Sequence, residues 1–143
     1  MKKLILMLVF FFLCKTISAD TSLITMYNDN VNSIAKKDVK LLYLMKRRNL
    51  SNGGPVIIYQ MPVNSILHKK FVRDILDMSI EQYNQVINQA VNSGLNRFII
   101  TVETREEMIN KVSETNNSIG YIDSDYLIIN SISKTVSIYK IID

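Results

Sequence analysis

The 143-residue chain has one cysteine, one histidine, two prolines, four glycines and no tryptophan. Its single cysteine, Cys14, lies in the N-terminal apolar stretch, so the rest of the chain forms no disulfide. With one His and no other Cys, a structural zinc site is excluded. No Ser-His-Asp order, Gly-rich phosphate loop or metal-ligand spacing is present, so neither a catalytic site, a metal nor a cofactor is expected. No repeat, low-complexity tract or linker divides the chain, which reads as one domain. Apolar runs long enough to span a bilayer are also missing. The longest, Leu4 to Leu13, is about half of the roughly 20 residues a membrane helix needs.

That short run has the form of a cleavable secretory signal covering residues 1–19. Lys2 and Lys3 supply the positive start, and Thr16-Ile17-Ser18-Ala19 a small-residue exit. An uncleaved anchor and a lipidated Cys14 are the alternatives, although Leu13 stands where lipoprotein signals carry a small residue. The excess of 17 Lys and Arg over 13 Asp and Glu is largely a property of this segment. Lys2, Lys3 and Lys15 depart with it and no acid does, leaving 14 cations against 13 acids in residues 20–143. Such a balance gives no electrostatic footprint for nucleic acid, and no membrane insertion is expected after cleavage. The cluster Lys46-Arg47-Arg48 reads as a solvated helix end. Abundant Asn, Ile and Lys suggest an AT-rich bacterial genome, and with the signal they point to the periplasm or cell surface.

The mature pattern alternates strands and helices. Ser22–Tyr27 reads as a strand, and Ser33 as the cap of a helix to about Met45. Val56–Tyr59 reads as a buried strand. A helix from Asn64 or Ser65 to about Asp77 follows, with Leu67, Phe71 and Ile75 on one face. Ser79 with Gln82 forms a capping box opening a helix that Gly94 ends. Phe98–Val102 is a strand, and Thr104 with Glu107 a second capping box. Ile119–Ile122, Tyr126–Ile129 and Val136–Ile141 are further strand candidates. This alternation predicts an α/β fold with a small mixed sheet flanked by helices. The segment Ser131–Asp143 is expected either to pair within that sheet or to add to a neighbour.

The order and spacing of several motifs resemble the phosphate-binding proteins that serve ABC transporters, in particular small single-lobe members. They are Tyr43-Leu44-Met45 with Leu50-Ser51-Asn52-Gly53, then Val56–Pro62 with Ser65 and Phe71, and finally TNNSIGYI at Thr115–Ile122. The resemblance implies one lobe of a type II periplasmic-binding-protein fold over residues 20–143. It also implies a small oxyanion such as phosphate held at helix N-termini for transport or sensing. The pattern departs at its centre. Met61 stands where the family has an arginine, and Ile66 and Leu67 replace a glycine and a threonine, leaving Ser65 with Asn64 beside it. Asn28, Ser33, Asn64, Ser65 and Thr101, with Thr104 nearby, are the candidate ligand-binding residues. Each also has an ordinary turn or capping role. His68, beside Lys69, reads as a surface histidine. The alternative is a lobe that has lost its ligand and docks onto an envelope partner or a second copy of itself.

Overall fold

The computed structural model describes residues 21–25, 33–50, 54–130 and 136–143. The strands are β1 (Thr21–Thr25), β2 (Ser33–Ala35), β3 (Ile57–Gln60), β4 (Ile99–Thr101), β5 (Ser118–Asp123) and β6 (Ser137–Ile142). They form one sheet in the order β2-β6-β1-β5-β3-β4. β3 is parallel to β4 and β5, β2 is parallel to β6, and β1 is antiparallel to β5 and β6. Five strands therefore run one way and β1 alone runs the other. The helices are α1 (Lys36–Tyr43), α2 (Ile66–Asp74), α3 (Ile80–Ala90), α4 (Arg105–Glu114) and α5 (Ser124–Asn130).

Strand alternation sorts the helices onto two faces. On β5, Tyr121 stacks on Phe71 of α2, with ring centroids 3.9 Å apart and planes 3° from parallel. Tyr43 of α1 meets the same Phe71 edge-on at 4.7 Å. The next residue back on β5, Gly120, faces α4. A Cβ built there would lie 2.5 Å from Met108 Sδ and 3.0 Å from Val112 Cγ2. Glycine allows this close approach, since a methyl here would force the Met108 side chain to move.

Local chemistry sets the helix ends. Ser79 Oγ accepts the Gln82 N–H while Gln82 Oε1 accepts the Ser79 N–H, the expected reciprocal box. At α4, Thr104 Oγ1 accepts from Glu107, but the Glu107 carboxylate reaches the N–H of Glu103, one residue earlier than that box prescribes. Gly94 adopts φ 81° inside the turn Val91–Leu95 that follows α3.

Three expectations are corrected. Ser33 lies inside β2 and caps nothing; α1 begins at Lys36, with Ala35 at its N-cap and no side-chain cap. A three-residue strand is too short to show periodicity, and this one is held by pairing with β6, more than a hundred residues away. Residues from Tyr126 form part of α5 rather than a strand, since a short apolar run does not distinguish the two and Asp125 favours a helix start. His68 is buried, because Leu67, His68, Phe71 and Val72 together form the inward stripe of α2. Of the two pairings open to the C-terminal segment, the structure shows the internal one, with β6 between β2 and β1. Asn28, Ser51, Asn52 and Gly53 lie outside the described residues.

Candidate functional site

The C-terminal ends of β3 and β4 deliver the chain to one sheet edge. Two helices begin there. After Gln60 the chain turns through Met61–Asn64, with the Ser65 N–H donating to Pro62 O at 2.8 Å, and enters α2. After Thr101 it enters α4 through Thr104. Because β3 and β4 are neighbours, with Gln60 opposite Thr101, the structure brings Asn64, Ser65, Thr101 and Thr104 to a common edge. Gln60 Nε2 donates to Thr101 Oγ1 at 3.4 Å, and Gln60 Oε1 accepts from Tyr83 at 2.9 Å, which ties the edge to the core.

Ser33 does not join them. β2 lies four strand intervals from β3, about 19 Å along a sheet of ordinary spacing. The first strand also leads away from this edge, since β1 runs antiparallel and its last residue, Thr25, pairs with Ile119 and Ser137 at the opposite side. The expected grouping of Ser33 with Ser65 therefore fails.

The two helix N-termini differ as anion hosts. The first turn of α2 carries no acid, and its cap, Ser65 Oγ, accepts only the His68 N–H at a long 3.4 Å. The N–H groups of Ile66 and Leu67 have no acceptor within the helix, and the dipole favours negative charge beside them. At α4 the first turn carries Glu106 and Glu107, which already complement the dipole. Its cation, Arg105, clamps Asp123 through Nε and Nη2 at 2.7 and 3.1 Å. The anion-favouring surface is thus the start of α2, beside which Met61 is buried.

Beneath this turn lies a buried network that the sequence did not announce. Tyr121 Oη accepts the Met61 N–H at 2.8 Å and lies 2.5 Å from His68 Nδ1. Tyr121 Oη and His68 Nδ1 share one proton between them, the direction following the imidazole tautomer. Nε2 is buried without a hydrogen-bond partner, and burial lowers the His68 pKa to about 4. Burial raises the pKa of Tyr121 and Tyr43 as well. The network holds the turn before α2 against β5. Its sequence trace is the Gly120-Tyr121 pair, in which glycine admits α4 and tyrosine reaches β3 and α2.

This mixed sheet flanked by helices, with helix starts gathered at the ends of parallel strands, is shared with one part of several solved structures. Three of them are as follows. A PstS from Borrelia burgdorferi matches with a TM-score of 0.64 and 20% identity, over 85% of this chain and 46% of its own. A putative phosphate ABC transporter substrate-binding protein with bound phosphate, from Clostridium perfringens, gives 0.64 and 21%, over 85% and 44%. An ABC-type phosphate transport receptor from Vibrio cholerae gives 0.59 and 13%, over 85% and 45%. This chain spans less than half the length of each. No family model matches the sequence, and no curated protein matches it significantly.

Proposed function

We propose that this protein is a non-enzymatic, exported substrate-binding-type lobe that takes a small oxyanion such as phosphate at the start of α2, in transport or sensing. The observation that carries this reading is the acid-free N-terminus of α2, presented beside Asn64, Ser65 and Thr101 at the ends of two parallel strands. Helix N-termini bind anions through unpaired N–H groups and the dipole. A surface helix end contributes about 0.3–1 kcal/mol, and charge-assisted bonds are roughly twice as strong as neutral ones. With Met61 in place of the family's arginine, affinity falls in the millimolar range. Thermal unfolding in phosphate, at constant ionic strength, tests this. The midpoint rises with phosphate, and the rise is lost in Ser65→Ala; a midpoint indifferent to phosphate, sulfate and arsenate refutes it.

One observation favours a second reading, docking of an envelope partner or a second copy on the same edge. Ile66, the first residue of α2, is 86% exposed, and Val63 in the preceding turn is 46% exposed. Apolar side chains there suit a protein surface better than a hydrated anion. Ile66→Ser separates the readings: it leaves phosphate-dependent stabilisation intact under the first and abolishes partner capture or self-association under the second.

A further inference from the structure

The opposite sheet edge carries a feature that the proposed oxyanion site does not use. Phe98 is the last residue before β4, and two guanidiniums sit over its ring. Arg97 Cζ is 4.8 Å from the centroid and Arg48 Cζ is 5.7 Å. Forty-nine positions separate these arginines in sequence, so the fold and not local composition brings them together. Arg48 is held by the chain entering β3, where its carbonyl accepts the Val56 N–H at 2.6 Å and Asn49 bridges to Pro55. Beside it, Arg47 donates to Asp38 at 2.8 Å and to Asn49 O at 3.0 Å, and Lys46 is exposed. Met45, Lys46, Arg47, Arg48 and Asn49 line an open depression of about 430 Å³. Lys46-Arg47-Arg48 is more than a solvated helix end, because Arg97 arriving from the far side makes it a four-cation surface.

Gathering like charges is unfavourable unless something compensates. The ring does so in part through its contacts with both guanidiniums, whose planar N–H sets match carboxylates. A single-stranded nucleic acid would need a free aromatic face for its bases, and Phe98 is already engaged. Anionic bilayers are recognised by clusters of about 4–8 cations, and here one of four is already neutralised by Asp38. We infer that Arg48, Arg97 and Lys46 form a docking surface for a partner protein presenting Asp and Glu side chains, at the edge opposite the start of α2.

Anisotropy of a fluorescein-labelled octaglutamate peptide with the purified protein at low salt tests this. The peptide binds, and Arg48→Ala/Arg97→Ala weakens it by about tenfold, whereas the charge-matched Lys37→Ala/Lys111→Ala changes it by about twofold or less. Should the alanine pair unfold the protein, Arg48→Lys/Arg97→Lys keeps the charge but removes the planar N–H sets, and is expected to weaken binding by about fivefold. Absence of peptide binding, or equal losses in the two alanine pairs, overturns the inference. So does displacement of the peptide by low-millimolar inorganic phosphate, or binding to phosphatidylglycerol vesicles in place of the peptide. Because Ser65 lies at the other edge, Ser65→Ala leaves peptide binding unchanged, which separates this outcome from that of the oxyanion site.

Discussion

Replacing Tyr121 by Phe removes one oxygen and keeps the ring stacked on Phe71. That oxygen has two buried partners, the Met61 N–H at 2.8 Å and His68 Nδ1 at 2.5 Å. Both are left without a partner in the variant, since the turn before α2 is packed against β5 and shut off from water. A buried polar group stripped of its hydrogen bond costs about 1–3 kcal/mol. Two such groups, less what is recovered because the hydroxyl no longer needs desolvation, give a loss of about 2–4 kcal/mol. In a domain of this size that lowers Tm by roughly 10 °C. Urea unfolding is the direct assay, and Cm should fall with m unchanged. Because His68 shares the network, adding His68→Met to Tyr121→Phe costs less than the sum of the single changes, by about 1 kcal/mol or more. A loss below about 0.5 kcal/mol for Tyr121→Phe would mean that the hydroxyl is not the tie between β5 and α2, and the reasoning would fail.

Gly120→Ala places a methyl within 2.5 Å of Met108 Sδ and 3.0 Å of Val112 Cγ2, so it destabilises by about 1–3 kcal/mol through overpacking; Met108→Ala in the same background recovers part of the loss. His68 stays neutral in the native state to about pH 4, while its unfolded counterpart takes a proton near pH 6.5. The unfolded chain therefore binds more protons within that window, and stability falls as pH drops from 6.5 to 4, by up to about 3 kcal/mol. The part of the acid loss due to His68 disappears in His68→Met, and an unchanged pH profile in that variant contradicts the assignment.

Much of the sheet was legible because its strands carry apolar β-branched runs bounded by turn residues. Its helices were legible because Ser65, Ser79 and Thr104 announce their starts. Strand direction was not. Nothing in Thr21–Thr25 tells that β1 runs antiparallel; that follows from pairing with β5 and β6 a hundred residues on. The misgrouping of Ser33 with Ser65 follows from that missing fact together with the overlooked strand β2, whose three residues show no periodicity. His68 was misread because Lys69 beside it is polar, although the inward stripe of α2 places residue 68 between Leu67 and Phe71. The candidate site was half legible. Asn64, Ser65 and Thr101 do meet at one edge, since consecutive parallel strands return their C-terminal ends to the same side. Arg97 and Arg48 meeting over Phe98 left no sequence signal, because two weak local features become a surface only when β3 and β4 pair.

Under the proposed function, the start of α2 is the place where an anion is received. Backbone amide chemical shifts followed by ¹H–¹⁵N NMR during a phosphate titration at constant ionic strength test it most directly. The amides of Ser65, Ile66 and Leu67 are expected to move together and saturate with one millimolar constant, with Thr101 following and the residues around Arg48 and Arg97 unmoved. Shifts that never saturate, or that centre on the arginine edge while α2 stays silent, would contradict the assignment.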